Sequence, residues 1–400
     1  MLAWGGVLLA LLGADPAAVR DTAASGFAGW AASLRLENRT RTDQPGEPGG
    51  AFPLETEVDA ELGLAGADGP WSGAAAYLPR LTLEQIDGRQ GSTVLHQGLI
   101  SGELHLNSVD RVIASQQLAV GQIDFSPLAA AVAGGAGSAA PPLDPQLARH
   151  RVEQYVLSNS LLGLTAAVSP RVLLTATAAY DLDGGLGAAA RQAVPLLQGP
   201  RATAAATLAA TPLDAVRAQS EVQLAWSSAG TNTAIADLSG MLTHTFAPGT
   251  LAGLELGFAV AHGSAQAATA LPIAGLTVET NLPVRGQKLS TQLSLRTSAV
   301  PDRYSGAAYE QAEGALSLDW SPLEALDFTA RASAGRILTG EARGASVDEL
   351  ETLGSFVALR GISFGIGARG AFVGGGGSDQ VSGVLWSAFV FARALTLGSF

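Results

Sequence analysis

The chain contains no cysteine, so neither a disulfide framework nor a thiolate metal site is open to it. Charge is scarce. Asp, Glu, Lys and Arg together make up 14% of the 400 residues, well below the roughly 25% of ordinary soluble proteins. Basic residues are scarcer than acidic ones, and the formal charge of −12 argues against a nucleic-acid partner, since phosphate binding needs a basic surface. Aromatics reach only 6%. Past the N-terminus no apolar run is long enough for a helical membrane span, which needs about 18 residues.

What is present is apolar content without apolar runs. Hydrophobic residues are 47% of the chain and the mean hydropathy is +0.26. Alternation produces that combination, with one face of each strand greasy and the other polar. No composition shift or linker divides the chain. Residues 1–18 are expected to form an export signal, because Leu2 to Leu12 is a short apolar stretch followed by Ala14, Ala17 and Ala18. The basic segment that ordinarily precedes such a stretch is missing. Residues 26–400 are expected to form the body of the fold.

Short turns recur along that body. The clearest are Ser169-Pro170-Arg171, Thr211-Pro212-Leu213-Asp214, Ala247-Pro248-Gly249, Pro283-Val284-Arg285-Gly286, Ser321-Pro322-Leu323-Glu324 and Arg360-Gly361. They are spaced by about 36 to 42 residues, and Asp68-Gly69-Pro70 and Asn107-Ser108-Val109-Asp110 extend the series toward the N-terminus. One unit is a tight turn, a strand, a longer loop and a returning strand. The repeat predicts an all-β chain forming a transmembrane up-and-down antiparallel β-barrel of about eighteen strands (16–18), short turns on one side and longer loops on the other. Lipid offers the backbone no hydrogen-bond partner, so only a closed sheet of this kind satisfies every strand.

The first two strands are the most legible. Ala32, Leu34 and Leu36 share one face, and Arg35, Glu37, Arg39 and Arg41 share the other. In the second strand Val58, Ala60, Leu62 and Leu64 oppose Glu55, Glu57, Asp59 and Glu61. A hairpin closed by residues 42–53 is expected to set Arg41 against Glu55, Arg39 against Glu57 and Arg35 against Glu61. A solvated face of a soluble sheet would read the same in these two strands alone. Later runs, nearer ten residues than the five or six of soluble strands, decide for the membrane. Gln292 and Arg296 alternate with Leu293 and Leu295, Glu313 and Asp319 with Leu316 and Leu318, and Asp327 and Arg331 with Phe328 and Ala330. Glu103 and His105 share a further inward face. These charged and polar residues are the pore-lining candidates. Residues 111–125 and 152–168 alternate poorly and their registers stay open. Phe27, Trp30, Trp71, Phe246, Trp320 and Phe328 beside the turns, with Tyr180, Trp226 and Tyr309 near the loops, are expected to form two interfacial girdles. Ala129–Pro145, rich in Gly, Ala and Pro, is read as an external loop in preference to a constriction inside the lumen.

No catalytic constellation assembles. Gly361-Ile-Ser-Phe-Gly365 has the spacing of a hydrolase nucleophile elbow, and Gly365-Ile-Gly-Ala-Arg-Gly370 that of a dinucleotide-binding loop. Each needs a strand-to-helix turn, and no helical pattern follows. Five scattered histidines show no metal-ligand spacing. The reading carries no enzyme, cofactor or metal.

The strand count, the Ser/Thr/Ala-Pro turns and the final Phe400 resemble bacterial outer-membrane barrels over nearly the whole chain. The Ala/Gly-rich composition and small turns are similar to the integral, porin-like barrels that accompany exopolysaccharide secretion in Gram-negative bacteria. The resemblance implies a conduit with neither catalytic residues nor cofactor. It also implies an outer-membrane lipid setting, periplasmic secretion machinery as a partner and a saccharide cargo. The last strand departs from the family habit. Counting back by twos from Phe400 gives Gly398, Thr396, Ala394 and Ala392, while Leu397, Leu395, Phe391 and Phe389 hold the other parity, so its register stays open. Export of a polysaccharide is favoured narrowly over passive diffusion of a polar solute. A structural or adhesion barrel with no transport role, and a soluble β-repeat protein, are the alternatives.

Overall fold

The computed structural model describes residues 29–41, 54–86, 89–124, 152–284, 287–375 and 383–399. Residues 1–18, where an export signal is expected, and Phe27, Ala129–Pro145 and Phe400 lie outside them. The eighteen strands, in chain order, are β1 (Gly29–Arg41), β2 (Leu54–Asp68), β3 (Trp71–Ile86), β4 (Arg89–His105), β5 (Arg111–Asp124), β6 (Val152–Ser169), β7 (Val172–Gly185), β8 (Leu197–Ala209), β9 (Asp214–Ser227), β10 (Asn232–Ala247), β11 (Thr250–Gly263), β12 (Gln266–Val284), β13 (Gln287–Pro301), β14 (Ala308–Leu323), β15 (Leu326–Ile337), β16 (Ser346–Leu359), β17 (Ile362–Gly374) and β18 (Gly383–Ser399). Each pairs antiparallel with its neighbours in sequence, and β1 pairs with β18 from Gly29↔Ser399 to Arg41↔Ser387. The sheet is a closed up-and-down barrel. Strands run from 12 residues (β15) to 19 (β12), longer than the roughly 9–11 that cross a bilayer, so their ends stand beyond the apolar layer.

Closure fixes two faces. Leu34, Leu62, Ile100, Leu162, Leu238, Leu256 and Phe364 are each at least half exposed on the outside, a continuous apolar surface that only lipid can cover. Glu37, Glu55, Glu57, Glu103 and Arg369 are buried on the inside.

The turns close by chemistry written in their own residues. Asn107 Oδ1 accepts the backbone N–H groups of Val109 and Asp110, and Thr211 Oγ1 accepts those of Leu213 and Asp214, one local device in two places. Asp110 in turn accepts the N–H of Ala167, near the end of β6, at 2.6 Å and a bond from Asn107, which hold its carboxyl below the usual carboxylate range. Gly249 and Gly361 take φ of +81° and +78°, and a Cβ on either would strike a carbonyl of the neighbouring hairpin.

Two expectations are corrected. The β1–β2 register lies two residues from the one anticipated. Arg39 faces Glu55, Arg35 faces Asp59 and Ser33 faces Glu61. The parity is unchanged, and Arg39 thereby reaches both Glu55 and Glu57. Tyr309 is buried inside against Ile337 and Ala345, away from any girdle. Trp71, Phe246, Trp320, Phe328, Tyr180 and Trp226 are exposed on the outer face.

The register of β18 is settled by packing. Trp386, Val390 and Ala394 face outward, while Phe389 and Phe391 face inward and are buried. Their rings lie over Gly367 and Gly365 of β17, where any Cβ would meet ring carbon. The Arg369 and Arg35 guanidinium groups lie over the rings of Phe389 and Phe391, 4.4 and 4.6 Å from the ring centroids. Both catalytic-looking glycine motifs fall in this arrangement. β17 is followed by β18, and their glycines make room for phenyl rings. Gly367→Val is expected to destabilise the barrel by about 1–3 kcal/mol through overpacking. The check is the urea concentration at which the fast-migrating folded band is lost on unheated gels.

Candidate functional site: the inner wall of the barrel

The inner wall divides into two regions of different chemistry. Across β16, β17, β18, β1, β2 and β3 it is a network of opposite charges. Arg39 Nε donates to Glu55, and its Nη1 lies 3.3 Å from Glu57. Arg80 Nε donates to Asp59 at 2.7 Å and lies 3.5 Å from Glu57. Arg369 spans β18 to join Glu351 at 3.0 Å and Glu37 at 3.4 Å, and Arg35 meets Glu37 at 2.5 Å. Ser33 donates to Glu61, which also lies 3.7 Å from Arg393. Glu37 and Glu57 stand directly opposite each other in the ladder, a like-charge pair that bare would be repulsive. Arg369 on one side and Arg39 with Arg80 on the other neutralise it.

The remaining candidates are dispersed. Glu103 is buried and lies 3.1 Å from Arg111 and 3.5 Å from His105, near the turn side. Gln292 donates to Glu279 at 3.4 Å, and Arg296 lies 3.4 Å from Glu255. Glu313 accepts from Gln311, Asp319 from Thr329 and Asp327 from Ser321. Arg331 sits on the inner face between Ser317 and Glu351 of the flanking strands. Arg41 ends β1 opposite Ser387.

Sequence reasoning missed Arg80, Arg369, Arg393, Glu349 and Glu351. Glu349 and Glu351 alternate with Leu350 and Thr352, a legible signal. Arg369 is hidden among glycines, and its role follows only from the neighbours that closure supplies.

The second region is built by two loop-side connections that fold inward. Between β7 and β8 a short helix, α1 (Ala188–Ala193), leads into Val194, which is fully buried against Tyr155, Ile123 and Leu157 on the inner faces of β5 and β6. Between β13 and β14, residues 302–307 cross to meet it. Arg303 pairs with Asp183 at 2.9 Å, and the Tyr304 hydroxyl donates to Ala193 O at 2.9 Å. Ser227 donates to Arg303 O at 2.5 Å, and Thr233 to Ala307 O at 3.3 Å.

This explains the poor alternation of β5 and β6. Their inward Ile123, Tyr155 and Leu157 are landing sites for the β7–β8 connection. On the lipid side Gln116, Ser158 and Ser160 satisfy one another by hydrogen bonds.

The sequence pattern of the EpsX exopolysaccharide export family matches residues 21–398. The chain belongs to that family. Similar folds among solved structures include OpdQ of Pseudomonas aeruginosa, at 11% identity and a TM-score of 0.45 over 93% of this chain and 100% of that one. OpdO of the same organism gives 15% and 0.44 over 93% and 97%. OccAB3 of Acinetobacter baumannii gives 9% and 0.43 over 92% and 99%. No curated protein sequence matches. Family membership and the lipid-covered outer surface make the chain an outer-membrane β-barrel.

The inner network has a testable asymmetry. Removing one member of a buried charge pair leaves the other uncompensated, whereas a solvated pair contributes little. Arg39→Met is expected to lower stability by roughly 3–5 kcal/mol and Arg296→Met, at a half-exposed pair, by less than about 1 kcal/mol. Urea titration of gel mobility compares the two.

Proposed function

We propose that this barrel is the outer-membrane conduit through which a polysaccharide is exported, in preference to a passive diffusion pore. Barrels of 16–18 strands leave room for an aqueous channel. The observation that carries the reading is the pairing of the inner charges. Arg35, Arg39, Arg80 and Arg369 each bond to carboxylates within the wall, so the surface is rich in donors and acceptors and its arginines are already paired. A polyhydroxylated chain can exchange weak hydrogen bonds along a wall whose arginines are already paired without being held at one point, as conduction requires. Hydroxyls and amides at Thr203, Gln219, Gln223, Ser239 and Ser317 extend the same character around the inner face. Membership of an exopolysaccharide export family supports this cargo class over a small ion.

The short turns face the periplasm in this reading, where secretion machinery would deliver the polymer. Residues 1–18 would direct the chain across the inner membrane of a Gram-negative cell. The pore-lining residues are those of the inner parity, from Arg35 and Glu57 round to Glu313 and Arg331.

Two measurements in planar bilayers test the proposal on detergent-folded protein. Steady openings are expected, and neutral oligosaccharide should block them in a concentration-dependent way; openings indifferent to sugar would favour a simple pore. Arg331→Glu, at an exposed inner position, should shift the reversal potential toward cation selectivity without loss of folding. An unchanged reversal potential would remove Arg331 from the conducting path.

A further inference from the structure

The ladder between β12 and β13 stops short of the loop side, and the inward fold of the β13–β14 connection begins there. β12 and β13 pair from Val284↔Gln287 up to Gly275↔Arg296, and the ladder between them stops. Beyond it each strand continues with its other neighbour, β12 with β11 to Gly263↔Gln266 and β13 with β14 to Pro301↔Ala308. The break is written in the sequence. Pro272 has no N–H to offer a ladder, and the Thr297 hydroxyl takes the place of the missing backbone partner by accepting from Ala274 N and donating to Pro272 O. Freed from β12, the end of the β13–β14 hairpin tucks against the inner faces of β10–β12. There Ala299 and Ala308 pack on Ile235, Ala259, Ala261, Leu271 and Ile273.

Resting on the conduit reading, we infer that the loop-side end of the β13–β14 hairpin, about Thr297–Tyr309, is a flap that swings between this inward position and one flush with the wall. Its hinge is the end of the ladder at Gly275↔Arg296. Its latch is polar: the Arg303–Asp183 pair, with Asp183 about one-third exposed, the Arg303 guanidinium on Pro195 O, the Tyr304 hydroxyl on Ala193 O, the Ser227 hydroxyl on Arg303 O, the Thr233 hydroxyl on Ala307 O, and Gln266 Oε1 accepting from Ala308 N. Its seat consists mainly of alanines, isoleucines and a leucine, a small contact against the cost of separating two full strands. An outward swing would bring β13 back beside the unpaired stretch of β12. The segment bridging the β7–β8 and β9–β12 walls would then leave the path of a polymer.

The absence of native cysteine makes introduced thiols unique. Ala193→Cys with Tyr304→Cys, joined by a short reducible bifunctional thiol reagent, should hold the flap inward. Conductance of the full-length channel should fall several-fold on joining and return on reduction, while Arg303→Ala should raise the time spent in the larger state. Equal conductance in the joined, reduced and Arg303→Ala forms would overturn the flap. A second readout needs no conduction. A single cysteine at Ala259, fully buried beneath the flap, should react with a water-soluble maleimide faster in the Arg303→Ala background than in the parent. If that acceleration appears but no form conducts, the flap stands and the conduit reading fails. If the rates are the same, the flap falls whatever the conductance.

Discussion

A strand crossing hydrocarbon must find a protein partner for every backbone N–H and C=O, because the surroundings offer none and each orphan costs several kcal/mol. The rest of this structure follows from that constraint. It forces β1 to find β18 and closes the sheet. Closure assigns one parity of every strand to lipid and the other to the interior. The ladder is interrupted between β12 and β13 beyond Gly275↔Arg296, where strand ends stand above the apolar layer and water or a threonine hydroxyl can serve instead.

The interior is built by a second rule, that buried charge must be paired. Six strands carry arginines and carboxylates that neutralise one another across the ladder, and Arg369 spans a whole strand to do so. The two phenylalanines of β18 belong to the same solution. Each ring occupies the space a β17 glycine leaves open and carries a guanidinium over its face, so it fills space and holds the arginine near its carboxylates. The result is an inner wall whose arginines are paired with its carboxylates.

Much of this was legible in residue order. The short turns fall where Pro, Gly, Asn and Thr place them, because those residues act locally on their own backbone. Alternation in β1, β2, β13, β14 and β15 identified the inner parity of Arg35, Glu57, Arg296, Glu313 and Asp327, since a strand's period is a local property. What failed to be legible depended on non-neighbours. The β1–β2 register was misplaced by two residues because residues 42–53 do not specify where the ladder begins. Tyr309 looked like an interfacial aromatic, and its burial depends on Ile337 and Ala345. β5 and β6 alternate poorly because a connection folded from β7–β8 covers their inner faces.

The sequence by itself determined the strand period, the turn positions and the polarity of the two faces, all of which arise from interactions within a few residues along the chain. Only the tertiary structure decided which carboxylate meets which arginine and that the rings of Phe389 and Phe391 turn inward. The same holds for Arg303, which crosses to Asp183, 120 residues away in the chain. Those outcomes are set by closure, which brings distant strands side by side at a register that no local segment encodes.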